Sequence, residues 1–192
     1  FQAVSQLPCK PFDAARDGIN LGEAAGTVIL TSNKAFSMGI KASGGSVSND
    51  ANHISGPSRT GEELYIAIRK ALQAAAVSAG DIGFISAHGT ATIYNDEMEA
   101  KAIGLAGMQE IPVNSLKGYY GHTLGAAGII ESIISIQSLK EELLMPTLGF
   151  ENIGVSQPVN VCSTLKTIAV QHFLKTASGF GGCNAALVFS KQ

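Results

Sequence analysis

The sequence predicts an α/β fold in which helices are layered on a sheet. Two observations support this prediction. Amphipathic helical patterns alternate with short apolar runs along the chain, and polar, glycine-rich segments follow directly after several of those runs. The 192 residues are 45% hydrophobic and 15% charged, so the chain can bury a sizeable core. We therefore expect one large domain, or part of one.

The first 47 residues are predicted to contain two strands. An apolar run favours a strand over residues 26–31, and a second run favours one over residues 35–42. The sequence Ser43-Gly44-Gly45-Ser46 is typical of a turn that would end the second strand. Charged residues beside the earlier glycine turns are expected to pair for structural reasons: Arg16, Asp17 and Glu23.

Residues 48–59 are long, polar and irregular, which is typical of a functional loop. Thr60 followed by Glu63 is a capping-box pattern, and the apolar spacing after it predicts a helix over residues 61–78 that ends before Gly80.

Two polar segments are predicted at the carboxyl ends of strands. A strand over residues 82–87 is followed at once by His88, and Asn95 and Asp96 then begin a helix that continues to Leu105. A second short strand, over residues 111–113, precedes the stretch 114–128. That stretch carries Lys117 and His122 among glycines. Ligands of open α/β sheets bind at this edge, so a site is expected there.

The helix after His122 is apolar nearly all round, which predicts that it is buried. Its positive end should keep His122 neutral. Glu131 lies among apolar residues of this helix, so its carboxylate needs a polar or charged partner, and we expect that partner to be Lys117 or a histidine. Further strands are predicted over 158–162, 167–176 and 185–190, the last two joined by the glycine-rich stretch 177–184.

These segments suggest chemistry at an oxygen atom. Two neutral histidines, His88 and His122, could donate to one enolate or oxyanion. The backbone amide of Phe180 between its glycines could add a donor, while its ring gates an acyl pocket. Acyl transfer also needs a nucleophile, and none of the three cysteines stands in a recognisable nucleophile motif: Cys9, Cys162 and Cys183.

Composition argues against several functions. The net charge of −2 and pI near 6.1 offer no basic surface for nucleic acid, and no apolar run reaches the length of a membrane span. The start at Phe1 without Met suggests a fragment without a secretory signal. An odd number of cysteines favours a reducing, cytoplasmic location.

Several motifs in the same order resemble the β-ketoacyl-acyl carrier protein synthases of the thiolase-like superfamily. The resemblance covers nearly the whole chain and implies a thiolase-like half with a mixed, mostly parallel sheet. Residues 1–31 would end the N-terminal half of a synthase, and residues 32–192 would form its C-terminal half. The matching segments are Lys10-Pro11-Phe12-Asp13 to Gly26, Ser48 to His53, His88 to Thr92 with Asn95-Asp96, Lys117 to Gly128, and Gly179 to Asn184.

The resemblance implies a role for each matching residue in decarboxylative Claisen condensation. His88 and His122 would hold the malonyl thioester carbonyl and stabilise the enolate, and Lys117 would orient them. Phe180, flanked by Gly179 and Gly181, matches the gating residue whose amide joins the oxyanion hole. Thr90 and Thr92 match the hydroxyls that contact the phosphopantetheine arm, and Glu131 matches a supporting carboxylate.

The family's nucleophilic cysteine belongs to the N-terminal half, so this polypeptide alone is expected to be inactive. The implied partners are an acyl carrier protein and a second synthase subunit, in a homodimer or heterodimer of the full-length protein. No cofactor or metal is implied; the phosphopantetheine arm serves as substrate carrier.

The sequence departs from the family pattern at Ala91-Thr92-Ile93-Tyr94, at Ala177-Ser178 and at Cys183, which leaves the acyl pocket and the pathway open. Two alternatives remain. A chain-length-factor-like partner would lack catalysis, but such partners commonly lose the catalytic histidines, and the presence of His88, Lys117 and His122 together favours the enzyme. A coenzyme A thiolase would need a second C-terminal cysteine motif.

Overall fold

The computed structural model describes residues 3–51 and 54–192. Predicted features at His53 lie outside the described residues. The strands are β1 (Ile40–Asn49), β2 (Ile82–Ser86), β3 (Val113–Asn114), β4 (Leu143–Leu144), β5 (Lys166–Thr167), β6 (His172–Gly179) and β7 (Cys183–Lys191). The helices are α1 (Glu62–Ala75), α2 (Ile93–Leu105), α3 (Lys117–Tyr120) and α4 (Ala127–Glu141). Short 3-10 turns precede β1, β2 and α4.

The described residues form one five-stranded mixed sheet in the order β1-β7-β6-β2-β3. β6 and β3 both run parallel to β2, whereas β7 runs antiparallel to β1 and to β6. The predicted α/β class and mixed sheet are confirmed. The sheet is not mostly parallel as predicted, because two of its four pairings are parallel and two are antiparallel. β4 and β5 form a separate antiparallel pair.

Side chains alternate between the two faces of this sheet because successive strand residues point in opposite directions. Ile85, Leu174 and Val188 join the core beneath α1 and α2. Phe84 and Phe173, with ring centroids 4.9 Å apart, pack toward α4 with Leu139 on the other face. The sheet is therefore covered by helices on both faces.

The N-terminal strand predictions are wrong. Residues 26–31 form no strand; they are exposed, and the segment crosses the isoleucines of α4 at Gly26 without pairing to the sheet. The second strand begins at Ile40, later than predicted, and continues through Gly44 and Gly45. A Cβ at Gly44 would lie 2.4 Å from the backbone nitrogen of Ala75, so this glycine permits close packing of β1 on α1 instead of making a turn.

The helix predicted over residues 61–78 is shorter, and its capping box does not form. α1 begins after Gly61, whose φ is 77°, and ends at Ala75. Within the described hydrogen bonds, the Thr60 hydroxyl accepts from the Glu62 amide at 3.3 Å. Gly80 lies in a following 3-10 turn.

The C-terminal strand boundaries also differ from those predicted. Residues 158–162 make only an isolated bridge, between Val161 and Val113. The run 167–176 divides between β5 and β6. The final hairpin is tighter than predicted, because β6 and β7 pair up to Gly179 and Cys183 and leave three residues in the turn.

The prediction that the helix after His122 is buried holds for only one side of α4. Its fully buried residues include Glu131 and Ser135, whereas Leu124, just before the helix, and Ile133 are exposed. A helix that is apolar all round gives no periodic signal for its buried face, and Glu131 is drawn inside by ion pairs. No helix in the described part of the chain has the length and apolar run required to cross a membrane.

Candidate active site

Two adjacent parallel strands bring the predicted polar residues together. β2 and β3 pair at Ser86 and Asn114, and His88 and Lys117 follow their carboxyl ends. The imidazole of His122, at the end of the α3 turn, meets that of His88 edge to face with ring centroids 5.0 Å apart. The structure therefore joins His88, Lys117 and His122 in one cluster, as the sequence predicted.

The loop that carries His88 is held in place by hydrogen bonds to Glu99 of α2. One carboxylate oxygen accepts from the His88 amide at 2.9 Å, and the other accepts from the Gly89 amide at 2.6 Å. Thr176 of β6 donates to the same carboxylate at 2.9 Å. Glu99 is fully buried, so this contact network defines where the chain leaves β2.

Gly89 is required by the tight packing of this loop. Its φ is 45°, and an added Cβ would lie 2.5 Å from the Cβ of Ser115. The Ser115 hydroxyl donates to the Gly89 carbonyl at 2.7 Å. The loops after β2 and β3 are thereby held against each other.

Asp96 fixes the next turn of the chain. Its carboxylate accepts from the amides of Thr90 at 2.9 Å and of Phe12 at 2.8 Å. Burial raises the pKa of Asp96 to about 7. The Thr90 and Thr92 hydroxyls are 2.8 Å apart at this turn, so both face the same side of the loop.

Lys117 connects the cluster. Its fully buried Nζ lies 2.5 Å from Glu131 Oε1, 2.5 Å from the His88 carbonyl and 3.2 Å from His88 Nδ1. The predicted partnership of Glu131 with Lys117 is therefore confirmed. Because an ammonium group only donates, His88 Nδ1 must accept, and its proton lies on Nε2.

The tautomer of His122 is set in the same way by the backbone. The Leu124 amide donates to His122 Nδ1 at 3.0 Å, which leaves the proton on Nε2. The His122 amide donates to Asn20 and its carbonyl accepts from Gly22, so the N-terminal segment holds this residue in place. Both imidazoles thus retain an Nε2–H group as a donor.

The electrostatics keep both imidazoles neutral. Burial lowers the pKa of His122 to about 4, and the charge of Lys117 adds to that effect. The pKa of His88 is well below 6.5 for the same two reasons, in the same order. These lowered pKa values agree with the prediction that His122 is neutral. The main cause is burial, and not the positive end of the following helix as predicted.

Phe180 lies at the tip of the β6–β7 hairpin, with 72% of its surface exposed. The hairpin extends past β2, which pairs with β6 only as far as Lys175, so the tip lies beyond the histidine loop at the same sheet edge. The Gly181 amide donates to Ile54, and its carbonyl accepts from Asn49. The gating role of Phe180 stays a prediction.

The cysteines differ in environment. Burial, followed by the charge of Asp96, raises the pKa of Cys9 to about 12, and burial raises that of Cys162. Cys183 is exposed at the start of β7. Two of the three thiols are thus held in their unreactive, protonated form.

Sequence reasoning missed two residues of this cluster. Glu99 was included only in a predicted helix, and Lys175 only in a predicted strand. The Nζ of Lys175 lies 2.6 Å from Glu131 Oε2. A lysine in an otherwise apolar strand was the available signal, since a buried charge requires a partner.

Among the described residues, no group of three His, Cys, Asp or Glu side chains is arranged to hold a metal ion.

The layered mixed sheet that carries this His-Lys-His cluster is a thiolase-like fold, since solved ketosynthase structures match it over the whole chain. The family described as "beta-ketoacyl synthase, C-terminal domain" matches residues 40–151, more than half of the chain. The chain therefore belongs to the β-ketoacyl synthase family.

Similar proteins agree with this assignment. The chain is 35% identical to 3-oxoacyl-[acyl-carrier-protein] synthase 2 of Vibrio cholerae, over 97% of this chain and 48% of that protein. The structure of the ishigamide ketosynthase/chain length factor matches with a TM-score of 0.94 and 30% identity, over 100% of this chain and 49% of that one. A type II polyketide synthase acyl-carrier protein in complex with its ketosynthase bound to the hexaketide matches with a TM-score of 0.94 and 27% identity, over 100% and 51%. The chain spans about half the length of the curated relatives it matches.

Proposed function

We propose that this chain is the C-terminal half of a 3-oxoacyl-[acyl-carrier-protein] synthase that condenses an acyl thioester with malonyl carrier protein. The observation that carries the proposal is the pair of imidazoles, whose ring centroids are 5.0 Å apart and whose Nδ1 atoms are both occupied. Each ring can offer its Nε2–H to the same thioester carbonyl. Such donors stabilise the negative charge that develops on that oxygen.

In the proposed reaction the malonyl carboxylate leaves as carbon dioxide, and its bonding electrons form an enolate on the thioester. His88 and His122 stabilise the enolate oxygen. The enolate carbon then attacks the acyl carbonyl, and the departing thiolate is the cysteine that carried the acyl group. Lys117 does not need to exchange a proton in this scheme; it fixes His88 through Nδ1 and the backbone carbonyl.

We place the nucleophilic cysteine in a preceding half of the synthase. The buried Cys9 and Cys162 have raised pKa values, which disfavours the thiolate that acyl transfer needs. The half-length match to the curated relatives supports the same proposal. Within it, we place the division between the two halves near residue 31. On this proposal, the chain does not condense substrates by itself.

The proposed partners are an acyl carrier protein and a second synthase subunit. The Thr90 and Thr92 hydroxyls lie together beside the histidine loop, where they could contact the amides of a phosphopantetheine arm. The structures of similar ketosynthases with a carrier protein and with a chain length factor support this assignment.

The test is malonyl decarboxylation in the longer protein that we propose contains this chain. His88→Ala and His122→Ala should each reduce the rate by at least about 100-fold, the usual effect of removing one oxyanion donor. His172→Ala is the matched control because His172 contacts Ser190 on β7 and lies outside the cluster. A wild-type rate in either site variant would contradict the assignment.

A second measurement separates the enzyme from a chain-length-factor-like partner. Intact-protein mass spectrometry after incubation with an acyl thioester should show an acyl adduct, which digestion should locate on a cysteine upstream of Phe1. An upstream sequence without that cysteine, and no adduct, would favour the non-catalytic partner.

A further inference from the structure

We propose that Lys175 is a positioning residue for the condensation, because its buried ammonium fixes the carboxylate that aims Lys117 at His88. This inference rests on the proposed function for its consequence in catalysis. Its structural part concerns only charges within the described fold and can be tested without any substrate.

The geometry places Glu131 between two ammonium groups. Its Oε1 lies 2.5 Å from Lys117 Nζ, and its Oε2 lies 2.6 Å from Lys175 Nζ. Lys175 Nζ also donates to the backbone carbonyls of Ser86 at 3.1 Å and Ala87 at 3.3 Å. These two carbonyls belong to the end of β2 and to the residue just before His88.

The strand alternation explains why Lys175 reaches this place. Phe173 points to the α4 face of the sheet, so Lys175, two residues later, points to the same face and meets Glu131. Thr176 points to the opposite face and meets Glu99. Lys175 is only 1% exposed, and its ion pair with Glu131 offsets the free-energy cost of burying its charge.

The ion pairs leave a surplus of positive charge beside the histidines. Lys175 comes from β6, Lys117 from α3 and Glu131 from α4, so the three groups sum to +1 when all are ionised. Glu99 of α2 faces the region from the other side of the sheet, where backbone amides hold its carboxylate. The surplus opposes protonation of the imidazoles and favours an oxyanion next to them.

The direction of the pKa shifts agrees with this charge balance. Burial alone would raise the pKa of Glu131, but Lys175, followed by Lys117, holds it below the ordinary value. The pKa values of His88 and His122 are lowered mainly by burial, then by Lys117, with a further contribution from Lys175. Glu131 acts in the opposite direction on His122.

The test compares two charge-free variants of Lys175 in the full-length protein. Lys175→Gln keeps N–H donors for the β2 carbonyls and Glu131 but removes the charge, whereas Lys175→Met removes both. Ser135→Ala is the matched control, because Ser135 bonds Ser86 across the same α4–β2 interface without any charge. NMR titration of the imidazoles reports the effect without substrate.

Both charge-free variants should raise the proton affinity of the two imidazoles by about tenfold, or about one pH unit, whereas Ser135→Ala should leave it unchanged. The acid limb of malonyl decarboxylation should move upward by the same amount, with kcat reduced about 10-fold and KM little changed. If the imidazole titrations shift in the Lys175 variants but the wild type does not decarboxylate malonyl carrier protein, the charge role of Lys175 is retained and the proposed function is rejected.

Wild-type imidazole titration in Lys175→Gln would overturn the proposal, because it would show that hydrogen bonds alone suffice. Failure of both charge-free variants to fold, as judged by circular dichroism, would assign Lys175 to stability and overturn it as well.

Discussion

At the scale of single residues, the site depends on buried carboxylates that hold backbone amides. Glu99 and Asp96 lie one turn apart on α2 and together accept from the amides of His88, Gly89, Thr90 and Phe12. A carboxylate has only acceptor positions, so it satisfies several converging N–H groups at once. The positions of the histidine loop and the threonine pair therefore follow from α2.

Glu99→Gln should destabilise the protein by about 1–3 kcal/mol, because the new amide group would face a backbone N–H that has lost its acceptor. Urea unfolding measures this cost. Glu23→Gln, at an exposed position, is the control and should change the free energy of unfolding by less than about 0.5 kcal/mol. Equal stability of the two variants would mean that the carboxylate is dispensable.

The depressed pKa of His122 predicts a dependence of stability on pH. Between about pH 6.5 and 4 the unfolded chain binds a proton that the folded chain does not, so this residue makes stability fall as the pH decreases. Asp96, with a pKa raised to about 7, acts in the opposite direction over the same range. The contribution of His122 to the pH dependence of stability is therefore isolated by comparing the wild type with a His122 variant.

His122→Asn keeps an acceptor for the Leu124 amide but cannot titrate. Between pH 7 and pH 5 the wild type should lose about 1 kcal/mol more stability than this variant, since His122 is only half-buried and solvent screens part of its shift. Urea unfolding at both pH values measures the difference. Parallel losses would show that His122 titrates normally in the folded protein.

At the scale of elements, β1 and α1 approach so closely that one position admits only glycine. A Cβ at Gly44 would lie 2.4 Å from the Ala75 nitrogen and 2.5 Å from the Ala71 carbonyl oxygen. At Gly45, the next residue, the nearest atom would be 3.5 Å away, in the Leu187 side chain. The two neighbours therefore have different tolerance for a methyl group.

Gly44→Ala should lower the free energy of unfolding by about 1–3 kcal/mol, because backbone cannot move aside as a side chain can. Gly45→Ala should be tolerated within about 0.5 kcal/mol. Chemical denaturation of the matched pair measures both. A similar cost at the two positions would contradict the packing of β1 on α1.

At the scale of the whole molecule, the segment that crosses α4 carries exposed apolar side chains. Ile29 and Leu30 are 87% and 79% exposed, and the chain near Gly26 crosses the isoleucines of α4. Leu124, just before α4, is also exposed. An apolar surface of this kind favours association.

We expect the isolated chain to associate in solution, as measured by light scattering coupled to size exclusion. Replacing Ile29 and Leu30 with serine should move the measured mass toward that of one chain of 19.8 kDa. A monodisperse monomer of the unmodified chain would contradict this expectation.

The sequence by itself determined the α/β class, the adjacent polar segments and the meeting of His88, Lys117, His122 and Glu131 at one edge of the sheet. These features are local: a strand followed by a polar residue predicts a sheet-edge site, and a buried charge requires a partner. Family motifs added the expected roles.

Only the tertiary structure decided which face of α4 is buried, where Gly44 lies and which ion pairs form. Lys175 and Glu131 are 44 residues apart in sequence, and they meet because β6 lies beside β2 beneath α4. No local pattern encodes such a meeting, since it depends on strand order and on the alternation of strand residues between two faces. The pairing of β2 with β3 likewise decided the tautomer of His88, because it brings Lys117 to His88 Nδ1.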